Sequence, residues 1–371
     1  MKLIALKDVC KINMGQSPNS SNYNDYGDGM PFFQGNADFG ERYPITRVWC
    51  NTPTKIAQAE DILISVRAPI GALNYAKEEC CIGRGLAAIT PDRNKVSQDF
   101  IYWALKGKKA ELNDKGNGST FKAISRKILE QTMIPDINFE QQHKCAENLE
   151  KIYGIIQNRR KELLALDDLI KARFVEMFGS IHESTKYPYI AVKDLTDVIS
   201  GGTPSRDRSE YWYNGTIPWV KTTELQNNVI KNVDEHITES GLAGSSAKMV
   251  PIGTVLVAMY GQGKTRGMTA YLGIEASTNQ ACACILPSEK IDSMFMWKYF
   301  ELSYDKLRSL AQGAGQPNLN GNMIKNFQVL VPPIELQKEF VSFVEQVDKS
   351  KLMFQKLHQK LNILQQKAGD I

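Results

Sequence analysis

Two mixed α/β globular regions in tandem repeat, separated by two long antiparallel coiled-coil helices, make up the α+β, pseudo-twofold architecture that the sequence predicts. Three features point to it. The chain matches itself along most of its length, each copy ends in a Pro-free stretch with heptad patterning, and the remainder is short β-branched runs broken by Gly, Pro, Asn and Asp. The predicted division is a globular region over residues 1–138, a helix over 139–179, a second globular region over 180–334 and a second helix over 335–371. With 371 residues, 42% hydrophobic and 23% charged, the chain has room for two domains and is neither wholly disordered nor collagen-like.

Taken in order, Ile4 Ala5 Leu6 Lys7 Asp8 opens the first copy and returns as Ile190 Ala191 Val192 Lys193 Asp194. The turn Gly15 Gln16 Ser17 Pro18 returns at the same spacing as Gly201 Gly202 Thr203 Pro204. The next strand, Met30 Pro31 Phe32 Phe33 Gln34, matches Ile217 Pro218 Trp219 Val220 Lys221, and the strand-like Asp61–Val66 matches Thr254–Met259. Brief helical patterns fall at Asp99–Leu105 and Ser293–Leu302. Late in each copy Glu140 and Gln142 match Glu335 and Gln337.

Apolar residues then follow a heptad. In the first helix Leu149, Ile156, Leu163, Ile170 and Met177 form one row and Cys145, Ile152 and Leu166 its companion, with Arg159 and Arg173 as interruptions. In the second, Phe340, Val347, Phe354 and Leu361 run beside Leu336, Phe343, Leu357 and Leu364. A helix of this length outreaches a compact domain at ~1.5 Å per residue, so the two are predicted to pair. Gly154 is its weak point, costing ~1 kcal/mol relative to Ala.

The chemistry on offer is narrow. Seven cysteines form no Cys-x-x-Cys pair and read as reduced, buried thiols, while four scattered histidines give no metal-ligand spacing. No catalytic motif of an amino-methyltransferase, dinucleotide-binding or serine-hydrolase kind is present, so an enzyme reading needs residues the chain does not offer. Ala258–Thr265 nearly spells a phosphate-binding P-loop, but Ala258 stands where the first Gly belongs and a strand is expected next. The longest apolar runs fall short of the ~20 residues of a membrane helix and no signal stretch opens the chain, which predicts a cytoplasmic location. The net charge of +4 is small for a nucleic-acid binder, so DNA binding requires local clustering or a partner that supplies basic surface.

The duplicated Gly-x-Ser/Thr-Pro turn, Asp61–Gly71, Gly313–Asn320, the Pro332 Pro333 Ile334 Glu335 Leu336 Gln337 lead into the second helix and the Leu169–Gly179 close of the first together resemble the specificity subunits of type I restriction-modification systems. The first copy departs from that pattern at Pro135–Phe139 and at Gly118–Lys122. The resemblance implies two target-recognition domains that read a bipartite, asymmetric site in double-stranded DNA. It also implies helices that dock two methyltransferase subunits and, with them, restriction subunits that act as nuclease and translocase. The chain itself would bind no cofactor; S-adenosylmethionine, ATP and magnesium would belong to the partners. The alternatives are a duplicated protein-binding adaptor with a coiled-coil spacer, or the specificity subunit of a related fused methylase-nuclease system.

Within that reading the candidate DNA contacts are those that recur at equivalent places. They are Gln16 and Ser17 against Thr203 and Ser205 in the turns, and Gln34 and Asn36 against Lys221 and Thr222 after the strand. Arg84 stands opposite Gln280, and Arg67 is matched with the Gly-rich loop carrying Gln262, Lys264 and Arg266. Arg pairs with guanine and Gln with adenine in bidentate fashion, whereas hydroxyls and backbone amides suit phosphate. Phe33, Trp219 and Tyr260 are expected to be core aromatics. The partner-docking positions are expected at Leu149, Ile156, Leu163, Ile170, Phe340, Val347, Phe354 and Leu361.

Overall fold

The computed structural model describes residues 2–116, 122–261, 263–311 and 318–369, with side chains of the last helix as far as Leu352. The chain divides into two compact units, one of Met1–Lys161 with Phe354–Ile371, the other of Glu162–Met353. The dividing line falls inside the 40-residue helix Phe139–Phe178, which lends one part to each unit. That helix continues through Gly154.

The first unit is organised by a four-stranded antiparallel sheet in the order Cys10–Met14, Leu86–Pro91, Ile62–Ser65, Leu73–Tyr75. Side chains alternate across a strand, and the run Ile62–Val66 shows what that does here. Ile62, Ile64 and Val66 join one core with Phe100, Ile101 and Leu105 of the helix Gln98–Gly107, while Leu63 joins another with Phe33, Cys80 and Ile82. Both faces are covered, which is why Ile62, Leu63 and Ile64 are apolar in succession and the one polar side chain, Ser65, is buried with its hydroxyl donating to the Pro69 carbonyl. The second face is covered by a mixed sheet in the order Tyr23–Asn24, Trp49–Cys50, Met30–Phe33, Cys80–Ile82, Ile56–Ala57, with Met30–Phe33 parallel to Cys80–Ile82.

The second unit repeats this plan. Its main sheet runs Val198–Ser200, Cys282–Ile285, Val255–Ala258, Thr269–Leu272, and adds Asn228–Ile230 in parallel at the edge. Val255, Val257 and Met259 enter one core, Leu256 and Ala258 the other. The strand Ile217–Val220 again runs parallel to a partner, Ser277–Thr278. At the edge that Asn228–Ile230 occupies, the first unit has a loop whose Arg42 carbonyl accepts from the Tyr75 N–H at 2.8 Å.

The recurring Glu-x-Gln sequence has a structural purpose. Gln142 is 3% exposed; its Oε1 accepts from the Ser97 N–H at 2.7 Å and its Nε2 donates to the Ile137 carbonyl at 2.8 Å. Gln337, 1% exposed, does the same with the Asp292 N–H at 2.9 Å and the Pro332 carbonyl at 2.7 Å. Each buried amide uses both a donor and its acceptor, so nothing polar is stranded, and each ties the start of a long helix to the start of a short one.

Within the second unit the two long helices are antiparallel. Arg173 meets Glu339 at 2.8 Å and Asp167 meets Lys351 at 2.5 Å, so one helix advances as the other retreats. The seam departs from the heptad expected at Met177: Ile170, Phe174 and Phe178 are the buried positions, and Met177 is only partly buried. Phe174 and Phe178 pack with Phe295 and Phe340 into an aromatic cluster whose neighbouring rings lie 5.0–6.1 Å apart. Arg173 interrupts the companion row as expected, its guanidinium 5.8 Å from the centroid of Phe343 and paired also with Glu176.

This corrects the expected docking positions. Leu149, Ile170, Phe340 and Val347 are buried in the cores of their own units, Ile156 is also buried, and Leu163 is half-buried. The row that makes a helix amphipathic is the row its own fold covers. Phe354 and Leu361 lie outside the residues whose side chains are described. The large apolar side chains that remain exposed on the central helix are Phe139 at its start, then Ile155, Leu164, Leu169 and Val175.

Candidate nucleic-acid interface

In the first unit, three of the predicted residues meet. The Ser17 hydroxyl donates to Gln34 Oε1 at 3.1 Å and accepts from Gln34 Nε2 at 2.9 Å and from the Arg84 N–H at 3.2 Å. Asp38 Oδ2 accepts from the Gln34 and Gly35 N–H groups at 2.7 and 3.2 Å, closing the short helical turn Asn36–Asp38 that follows the strand. The flanking glycines are what allow this approach. A Cβ on Gly83 would lie 2.7 Å from Gln34 Oε1, and one on Gly85 2.5 Å from the Gln34 carbonyl oxygen. Side chains of Gln34 and Arg84 therefore stand exposed on one rim of a cleft of about 410 Å³, backed by the stacked rings of Tyr23 and Phe32 at 4.6 Å. An exposed guanidinium beside an exposed amide can address the edges of adjacent base pairs. Gln16 is exposed next to the cleft, with its carbonyl held by the Thr54 hydroxyl, and Asn36 is half-buried in the turn.

The second unit builds the same turns and fills them differently. Thr203 bonds Gln280 side chain to side chain, in the place of Ser17 with Arg84. Lys221, in the place of Gln34, is committed: its Nζ lies 2.9 Å from Glu235 and 3.8 Å from Asp234, and the hydrogen bond to Glu235 holds its pKa above the ordinary lysine value. Glu235 also takes Arg206 at 2.6 Å; burial works against its charge, but the hydrogen bonds from Arg206 and Lys221 hold its carboxyl below the usual range. The Arg206 guanidinium lies over Trp212 at 3.6 Å from the ring centroid, and Trp212 packs edge-on to Trp219 at 5.0 Å. Thr222 is half-buried in the turn Thr222–Glu224, and Ser205 is exposed, its carbonyl accepting from Trp212 Nε1 at 3.0 Å.

Arg67 is exposed just beyond the strand Ile62–Ser65 and forms a backbone bridge with Ala123. Arg67 and the Gly-rich loop each follow the equivalent strand, but Arg67 and Arg266 are not at equivalent positions. Counting from the equivalent strand Val255–Ala258, Arg67 corresponds to Tyr260, and Arg266 stands at the far end of a longer loop, just before Thr269–Leu272. That loop is held by its backbone: the Lys264 carbonyl accepts from the Tyr304 hydroxyl and the Arg266 carbonyl from Arg308 Nη1, both at 2.8 Å. Lys264 is exposed, Arg266 half-buried, and Gln262 lies outside the described residues. The segment leads into a strand, so it lacks the helix N-terminus that a P-loop offers phosphate. Phe33 and Trp219 are buried, whereas Tyr260 is 42% exposed and is not a core aromatic.

The seven cysteines are free and six are buried. Burial pushes the Cys10 and Cys80 thiols up to about 12, which keeps them protonated and poor nucleophiles. Among the described residues no group of three or more His, Cys, Asp or Glu is placed to hold a metal, and no helix is long and apolar enough to cross a membrane.

Residues 1–166 and 184–365 match the type I restriction modification DNA specificity domain family. The chain belongs to this family. A protein of Methanocaldococcus jannaschii, provisionally named the specificity subunit of type I restriction enzyme MjaX, is 47% identical over 152 residues, which are 41% of this chain and 36% of that one. The specificity subunit of type I restriction enzyme EcoR124I/EcoR124II of Escherichia coli is 24% identical over 276 residues, 69% of this chain and 65% of that one. The specificity subunit of MjaIX of M. jannaschii is 22% identical over 368 residues, covering 92% and 85%. The chain thus spans 36% and 65% of the first two relatives. The crystal structure of the type I S subunit from M. genitalium shares the fold at a TM-score of 0.59 and 14% identity, over 99% of this chain and 94% of that one. A chain from a structural study of complex assembly and conformational transition in the type I system shares it at 0.61 and 15% identity, over 100% and 96%.

The structure also brings forward residues of this specificity-domain chain that sequence reasoning passed over. Arg206 is one, and its signal was available: two arginines, Arg206 and Arg208, stand just before the aromatic run Tyr211 Trp212 Tyr213. Arg42 is another, lying 4.9–5.4 Å from the centroids of Tyr102, Trp103 and Tyr153 and paired with Glu150 of the central helix. Nothing in its local sequence marks it, because its partners are distant in the chain.

Proposed function

We propose that the chain is the DNA-sequence-specificity subunit of a type I restriction-modification complex. It reads a bipartite, asymmetric site in double-stranded DNA through two target-recognition domains. The family match across both copies supports this most directly, and the unlike polar groups at equivalent places in the two units fit heads that read two different half-sites. Recognition belongs to this chain, and methylation and cleavage to two methyltransferase subunits and to restriction subunits that use S-adenosylmethionine, ATP and magnesium.

In this reading the exposed rim of Gln34 and Arg84 addresses bases of the first half-site, with Arg67 as a further contact. Thr203, Ser205, Lys264 and Gln280 stand on the second unit's face. The methyltransferase subunits dock on apolar side chains exposed on the central helix, Ile155, Leu164, Leu169 and Val175, in place of the buried row.

The test is selection from a random duplex library, with the chain alone and with the methyltransferase subunit. Two short unlike motifs at a fixed gap are expected, with affinity that falls steeply as salt rises. No enrichment under either condition would return the chain to the class of protein-binding adaptors.

A further inference from the structure

The two most exposed large hydrophobic side chains among the described residues are both tyrosines, Tyr26 at 79% and Tyr213 at 75%. They occupy one position of the duplicated fold. Tyr26 stands four residues before the strand Met30–Phe33, and Tyr213 four before its equivalent, Ile217–Val220. Each is followed by a residue in the left-handed region, Gly27 at φ 93° and Asn214 at φ 56°, so each ring is carried on a tight turn.

Both turns are pinned. The Asn24 side chain accepts from the Gly27 and Asp28 N–H groups at 3.1 and 2.9 Å, and the backbone bonds Tyr213 N–H to Ser209 O and Gly215 N–H to Trp212 O measure 2.8 and 3.1 Å. Neither phenol hydroxyl has a hydrogen-bond partner and neither ring a neighbouring ring among the described residues. The fold therefore holds each tyrosine outward and gives it nothing to touch.

Recurrence decides what these groups meet. Elsewhere the two units have diverged, with Gln34 and Arg84 exposed in the first and Lys221 and Arg206 committed to Glu235 in the second. A group kept in both heads while the base-facing chemistry changes must address what two unlike half-sites have in common. In a duplex that is the sugar–phosphate backbone, and a free phenol O–H on a fixed turn is a phosphate donor.

We propose that Tyr26 and Tyr213 are matched, sequence-independent phosphate contacts, one on each half-site. The inference rests on the DNA-reading function proposed above. Its test uses the chain with its methyltransferase partner and compares wild type, Tyr26→Phe, Tyr213→Phe and the two Ala variants on the selected duplex and on a scrambled one. Each Phe variant should bind both duplexes about three- to tenfold more weakly. It should select the wild-type motif and show the wild-type salt slope, because a neutral donor displaces no counterion.

Three results overturn the assignment: unchanged affinity in the Phe variants, a motif altered at one half-site, or loss of partner capture without DNA. The first with a loss in Ala means a stacking ring, the second a base contact, the third a protein contact. If wild type selects a motif and the Phe variants bind as it does, only the tyrosine assignment falls. If wild type selects nothing, the DNA reading falls with it.

Discussion

The two units share the order of four main-sheet strands, the parallel strand pair and the buried glutamine latch, yet the polar groups at their candidate recognition turns differ. In the first, Ser17 organises Gln34 and Arg84 on an open rim. In the second, Glu235 gathers Lys221 and Arg206, and Thr203 takes Gln280. The long helix is held differently too: by Phe174, Phe178, Phe295 and Phe340 in the second unit, and by cations over Tyr102, Trp103 and Tyr153 in the first. Duplication fixed the backbone plan, since a strand buried on both faces tolerates little change. Recognition and helix attachment were left to side chains that could diverge without disturbing that plan.

The largest effect tests whether the helix rows belong to the fold. Phe340 is fully buried against Phe174, Phe178 and Phe295, so Phe340→Ala should cost about 3–5 kcal/mol of stability in the chain alone, read from urea unfolding. A loss below about 1 kcal/mol, with impaired partner capture, would restore Phe340 as a docking residue and break the comparison. Leu164→Ala, at a 65% exposed position, should show the opposite pattern: stability nearly unchanged and partner capture weakened.

The next effect concerns the unlike polar sites. Arg84→Ala should remove one base preference from one half-site, a discrimination of about 1–3 kcal/mol, because its guanidinium is exposed while its backbone is fixed through Ser17. Lys221→Ala should change no selected base, since Glu235 already occupies the ammonium. A motif changed by Lys221→Ala and untouched by Arg84→Ala would invert the contrast.

Much of this plan was legible in the sequence because it rests on repetition and periodicity. The matched strands, the helices Gln98–Gly107 and Ser293–Leu302, and the long helices all follow from local patterns. The shift of the seam to Phe174 and Phe178 was not, because it depends on Phe295, which arrives from a distant helix. At the candidate interface, recurrence located Ser17, Gln34 and Arg84 together with Thr203 and Gln280. It could not reveal that Lys221 is committed, because Glu235 enters on a neighbouring strand. The loops after the two equivalent strands were matched by position, but they differ in length, so Arg67 and Arg266 do not fall at equivalent places.

The smallest effect sharpens the contrast in helix attachment. Lys106 lies 3.9–5.6 Å from the centroids of Tyr102, Trp103 and Tyr153, and burial, aided by the charge of Arg42, lowers its pKa to about 8. In the second unit the buried Lys298 has acid partners instead, Glu301 at 2.9 Å and Asp348 at 3.4 Å. The ordinary lysine value is 10.5, so between about pH 8 and 10.5 the unfolded chain holds a proton at Lys106 that the folded chain has released. Stability gains from this group as pH rises through that window and is lowest, with the full penalty of the buried charge, below pH 8. Lys106→Met keeps an unbranched side chain against the rings and removes the proton. The difference in Tm between the variant and wild type should therefore narrow from pH 7 to pH 10, by on the order of 2 °C. A difference that stays level across that range would mean that the three rings and Glu150 sustain the charged amine at no penalty, and the two units would then hold their helices by equivalent means.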